Sequence, residues 1–194
     1  TTTANMFSKN PKLKTLNFGK YIFKTGKVTN MHEMFADTSL ERIPIGDDWP
    51  RFFDTENVVN MSGMFARSRQ LKDTNFAEKL SLDNAEDLSY MFYGLNGADY
   101  YNIGTFRPNA KKLKKLDYIF ATDQENKVEA ISVVNYSGEY VWDTSSVVSY
   151  EGMFAGRTNY RGCGPHYLQN APISDLSWLR AGGGSIDGYF CEEL

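Results

Sequence analysis

The chain has 194 residues and a net charge of −3, with 41% hydrophobic, 14% aromatic and 23% charged residues. That composition is ample for a buried core, gives little reason for disorder, and lacks the basic excess that nucleic-acid partners select. No stretch approaches the roughly 20 apolar residues of a membrane span.

Read from the start, the chain repeats one string. Phe7, Phe35, Phe65, Phe92, Phe120 and Phe154 recur at intervals of 28, 30, 27, 28 and 34 residues, each preceded by Met or, at position 119, Ile. Three residues before each apolar partner stands Thr3, Met31, Met61, Leu88, Leu116 or Tyr150, and three before that Val28, Val58, Ala85, Leu113 or Val147. Offsets of 0, 3, 6 and 7 fall on one side of a helix, so each unit is expected to carry a short amphipathic helix.

After each phenylalanine comes apolar-x-x-apolar-x-apolar: Leu13-Leu16-Phe18, Leu40-Ile43-Ile45, Leu71-Thr74-Phe76, Ala98-Tyr101-Ile103 and Val128-Ile131-Val133. Its end alternates with the period of a half-buried strand. Thr25-Gly26, Asp54-Thr55, Asp83-Asn84 and Asp143-Thr144 supply turn and cap chemistry before the next helix. The expectation is an α/β solenoid of the leucine-rich-repeat kind, about six strand-turn-helix units over residues 1–155.

The strings KVTNMHEMF, NVVNMSGMF and WDTSSVVSYEGMF resemble the repeat of BspA-like bacterial surface leucine-rich-repeat proteins, the subtype reading roughly D-T-S-x-V-x-N-M-S-x-M-F. The likeness is close in the second, third and sixth registers, weaker in the fourth and fifth, and stops near residue 155. It implies an exported, cell-surface protein without catalytic machinery, one that binds host matrix proteins or other cells.

Residues 156–194 are a different material, expected to form an irregular C-terminal cap over the last apolar edge. Leu176, Trp178, Leu179, Ile186, Tyr189 and Phe190 supply the cover. Cys163 and Cys191 can close this cap as a disulfide in an oxidising compartment, the alternative being two buried thiols. The chain does not begin with methionine and Thr3–Phe7 imitate only the end of a unit, so residue 1 is expected to be a trimmed or processed end.

Catalytic readings are weak. His32 falls on the polar side of a repeat, and Cys163-Gly-Pro-His166 lacks the geometric guarantee that a nucleophile and its base require. Two cysteines and one nearby histidine fall short of a structural zinc site unless Asp175 or Asp187 joins. Gly182-Gly183-Gly184-Ser185 lacks the lysine of a phosphate loop. The run Lys111-Lys112-Leu113-Lys114-Lys115 keeps Leu113 on the apolar stripe, leaving its lysines on a solvated side. No metal and no cofactor is expected.

What remains is a binding surface. Positions flanking the second apolar residue of each strand face outward: Thr15 and Asn17, Arg42 and Pro44, Asp73 and Asn75, Tyr100 and Asn102, Ala130 and Ser132. Arg42, Asp73 and Tyr100 side by side would suit a macromolecular partner, because interfaces enrich arginine and tyrosine. The expected function is non-catalytic adhesion or protein binding through this strand face; the alternative is a glycan-binding or toxin-associated domain with its specificity in the cap.

Overall fold

The structure, a computed structural model, describes residues 1–17, 23–43, 53–97, 100–103, 111–123, 130–133, 142–157, 160, 163, 172–182 and 189–192. Copies of the repeat lie one on the next through a line of parallel bridges. Thr2 pairs with Asn30, Asn30 with Asn60, Asn60 with Asp87, Asp87 with Lys115, and Lys115 with Ser149. An Asx turn follows three of them: Asn30, Asn60 and Asp87 each accept, through Oδ1, the amide two residues on at 2.8–2.9 Å. Copy five has Lys115 there instead, and Asp117 Oδ1 accepts the amide of Glu151 in the next copy at 2.8 Å.

The expected α/β solenoid of strand-turn-helix units is not what the chain builds. Among the described residues there is no α-helix; the regular elements are two 3-10 helices, Asn75–Lys79 and Leu176–Trp178, and four short strands. Where a helix was expected, the backbone runs through consecutive turns. The amides of Met34 and Ala36 fold back on the carbonyls of Met31 and Glu33 at 3.1–3.2 Å, while those of Met31, Glu33, Phe35 and Asp37 cross to Asn60, Ser62, Met64 and Ala66 at 2.8–2.9 Å. An α-helix keeps each amide on its own strand of chain; here every second one is given to the neighbouring copy.

Left-handed residues make this possible. Asn5, Glu33, Gly63, Tyr90, Tyr118 and Gly152 occupy one such position, with φ between 50° and 63°, and Lys9, Asp37, Arg67, Gly94 and Gly156 a second. A non-glycine residue there costs roughly 1–2 kcal/mol. The four crossing hydrogen bonds of the turns, at about 0.5–1.5 kcal/mol net each, are of the size needed to offset it.

The apolar pattern survives the change of backbone because the turns also return about every three residues. Val28, Met31, Met34 and Phe35 are buried, as are Val58, Met61, Met64 and Phe65. The anchoring rings stack from Phe7 through Phe35, Phe65, Phe92 and Phe120 to Phe154, with centroids 5.3–6.0 Å apart and planes within 28°. Each such pair contributes about 0.5–1.5 kcal/mol beyond the area it buries.

The strand side is less regular than expected. Among the described residues, only Tyr100–Asn102 (β1) and Ala130–Val133 (β2) of the five apolar-x-x-apolar-x-apolar segments form strands; Leu13–Asn17 and Leu40–Ile43 are irregular, and Asn75 begins a 3-10 helix. Phe18, Pro44, Ile45, Ala98 and Val128 lie outside the described residues. The tail supplies Ala181–Gly182 (β3) and Phe190–Glu192 (β4), giving a parallel sheet in the order β1-β2-β4-β3. The tail thus extends the sheet as well as covering the last copy. Leu179, Tyr189 and Phe190 are fully buried in the same core as the repeats.

At the last copy the tail imitates a further repeat. Phe154 N–H donates to Ile173 O at 3.0 Å, the bond that Phe120 N–H makes to Met153 O one copy earlier. Tyr189 lies on Phe154 with centroids 4.0 Å apart, where the next phenylalanine of the column would stand. Its hydroxyl donates to Pro172 O and accepts from Asp175 N–H, so the phenol is fully engaged, and burial pushes its pKa up. Arg157, nine-tenths buried, ties this end inward through Phe120 O, Leu95 O and Asn96 Oδ1; burial lowers its pKa to about 10.

Candidate functional site

The expected strand-face residues do not all stand on strands. Thr15, Asn17, Arg42 and Asp73 are exposed, but they stand on irregular segments. Asn75 lies in a 3-10 helix, and Tyr100, Asn102 and Ser132 in β1 and β2. Register joins two of them: Asn102 pairs with Ser132, which pairs with Cys191. Cys163 is disulfide-bonded, and Cys191 is the chain's other cysteine. A bonded sulfur cannot serve as a thiolate nucleophile. His166, Asp187 and residues 183–185 lie outside the described residues.

The structure does assemble a polar surface elsewhere, on the turns. The residue after each stripe position, His32, Ser62, Ser89, Asp117 and Glu151, falls in one column because the crossing hydrogen bonds hold the copies in register. The left-handed position beside it forms a second column: Glu33, Gly63, Tyr90, Tyr118 and Gly152. Between them runs a groove of about 450 Å³ that crosses the second to the fifth copy.

At one end of the groove His32 Nδ1 lies 3.0 Å from Ser62 O and 2.8 Å from Ser62 Oγ. A carbonyl only accepts, so Nδ1 carries the proton. Ser62 Oγ in turn donates to Asn60 Oδ1 at 2.7 Å. The histidine therefore faces the serine as a donor, the reverse of a nucleophile and its base. Nearby, Arg67 makes a bidentate pair with Asp37 at 2.7–2.8 Å, with Glu33 at 3.6 Å. That guanidinium holds the Asp37 carboxyl below the usual range.

At the other end stand Asp87, Lys115 and Asp117. Lys115 Nζ lies 3.8 Å from Asp87, and Asp117 accepts from Ser149 Oγ as well as from Glu151 N–H. Tyr90 stacks on Tyr118 with centroids 5.1 Å apart and planes 17° apart, and Tyr93 meets Tyr90 edge-on. Tyr118 donates to Glu151 Oε1 at 2.9 Å, and the same carboxylate pushes its phenol pKa up. Ser89 is 7% exposed, and its Oγ has no hydrogen-bond partner among the described residues. No group of three or more potential metal ligands occurs among the described residues.

This turn column is not among the residues expected from the sequence. The signal for this column was present, as a variable residue at a fixed offset inside an otherwise apolar string, but a helix would have scattered the neighbouring positions over its polar surface. No helix among the described residues is long and apolar enough to cross a membrane. Comparison with curated proteins and with solved structures finds no match. One family does match, over residues 1–106 and so more than half of the chain: the protein belongs to the family described as Mycoplasma protein of unknown function, DUF285.

Proposed function

We propose that this chain is a non-catalytic binding module, displayed outside the cell, that holds a macromolecular partner on the turn surface of its stacked copies. One observation carries the reading: the crossing backbone bonds align His32, Ser62, Ser89, Asp117 and Glu151 into a column beside a groove of about 450 Å³. Each copy contributes one variable side chain there while its anchoring phenylalanine stays the same, which is how repeat proteins build extended recognition surfaces. The disulfide at Cys163 is in keeping with an oxidising compartment. The resemblance of KVTNMHEMF and NVVNMSGMF to BspA-like surface repeats points the same way.

The test is adhesion of the labelled chain to cultured host cells and to a coat of matrix proteins. Three sets of alanine variants separate the surfaces: His32 with Glu151 on the turns, Arg42 with Asp73 on the strand flank, and Trp178 on the tail. Loss of adhesion in the first set alone, with thermal stability kept, is the expected result. Loss confined to Arg42 and Asp73 returns the site to the strand flank. Loss confined to Trp178 favours a glycan-binding or toxin-associated domain that reads its ligand through the tail.

A further inference from the structure

We propose that the groove is a saccharide subsite, taking a neutral pyranose with its apolar side against the Tyr90 ring. The inference rests on the reading that the turn surface binds, and it names the ligand class. The charges of the groove already have partners: Arg67 with Asp37 and Glu33, Lys115 with Asp87, and Asp117 with Ser149 Oγ and Glu151 N–H. An anionic ligand would have to displace the carboxylates that Arg67 and Lys115 already face. What the groove offers is hydrogen-bonding capacity, namely the remaining carboxylate lone pairs and, buried in its wall, the unpartnered Ser89 Oγ, together with an aromatic ring. A pyranose has the complementary chemistry, with hydroxyls around its rim and C–H groups on its flat side. The volume lies within the roughly 300–1,000 Å³ of small-ligand sites.

The backbone supports a recognition role for the tyrosines. Tyr90 and Tyr118 hold left-handed φ of 59° and 54° at a position where copies three and six use Gly63 and Gly152. Strain retained at an exposed aromatic, where glycine is the strain-free choice, is the mark of a residue kept for what it contacts. Gly152 makes room for the arrangement, because a Cβ there would stand 2.4 Å from Tyr118 Cε1. Tyr118 thus lies close against Gly152 on one side and stacks on Tyr90, a residue 41% exposed, on the other.

The experiment is a printed array of neutral oligosaccharides with sulfated heparin fragments alongside, each hit then titrated calorimetrically against the intact chain. Tyr90→Gly removes the ring and relieves the backbone; Ser89→Ala removes the unpartnered hydroxyl. At least one neutral saccharide is expected to bind, weakened roughly tenfold by Tyr90→Gly and about threefold by Ser89→Ala, with melting temperature kept or raised in the glycine variant. Binding of heparin fragments alone, binding unaffected by Tyr90→Gly, or no neutral saccharide bound overturns the proposal. If the chain still adheres to cells through Tyr90 while no neutral saccharide binds, only the ligand class falls. If it neither adheres nor binds saccharide, both readings fall.

Discussion

Copy on copy, like meets like; copy on tail, unlike meets unlike, and the contacts are nevertheless the same. Phe65 lies between Phe35 and Phe92, whereas Phe154 lies between Phe120 and Tyr189. Phe120 N–H finds a repeat carbonyl at Met153, and Phe154 N–H finds one at Ile173, in a stretch without the motif. The stacking rule therefore resides in backbone bonds and one aromatic per layer, and the rest of the motif serves each copy's own interior.

The largest effects should separate the two kinds of contact. Phe65→Ala and Tyr189→Ala each empty a packed aromatic position and are expected to cost about 3–5 kcal/mol in denaturant unfolding. Amide exchange tells them apart: the first should open copies on both sides of Phe65, the second only copy six and the tail. Equal protection losses throughout the chain would mean the ends do not differ. Next comes the covalent tie of the tail. An intramolecular Cys163–Cys191 bond is expected to contribute about 3–4 kcal/mol in the chain-entropy model. Reduction should lower the unfolding midpoint, and two free thiols on the unfolded, unreduced chain would remove this prediction.

Within the copies, Gly152→Ala puts a methyl against Tyr118 at a φ of 57°, and a loss of about 1–3 kcal/mol is expected. An unchanged melting temperature would show that the tyrosine stack shifts freely. On the tail side, Tyr189→Phe removes the hydroxyl that bridges Pro172 and Asp175, at about 1–2 kcal/mol. The pH dependence has a definite sign. The Tyr189 phenol titrates higher folded than unfolded, so its stabilising share is complete below the ordinary value of 10.0 and is lost as pH rises beyond it. Tyr189→Phe should flatten that alkaline fall.

The smallest effect belongs to Arg67 and Asp37, a pair about one-third exposed. Asp37 titrates lower folded than unfolded, so its contribution is present above the ordinary value of 3.8 and fades as pH falls below it. Solvent screening limits Asp37→Asn to about 1 kcal/mol or less at neutral pH.

The core was legible before the backbone was. Phe35, Phe65 and Phe92 align in sequence and stack in space because both follow the repeat interval. Offsets of 0, 3, 6 and 7 could not tell a helix from consecutive turns, since both return an apolar residue at those steps. The cue that separates them is the left-handed set: Gly63, Gly94, Gly152 and Gly156, with Asn5 and Asp37, are residues a helix interior disfavours and a left-handed turn accepts. The role of Ile173 was illegible for another reason. It acts through its carbonyl, and any residue has one. Ser89 escaped notice because a buried hydroxyl without a partner exists only once the copies are in register.

Register held by main-chain bonds carries a consequence for how such a chain changes length. Every bridge joins equivalent positions, so the join between Val59 and Asp87 is the same kind of join as that between Val59 and Asn60. Excising residues 60–86 should leave a shorter protein with five aligned rings and an intact tail, and with the groove shortened at its middle. Recombination between copies would therefore lengthen or trim the turn surface in whole layers without redesigning an interior.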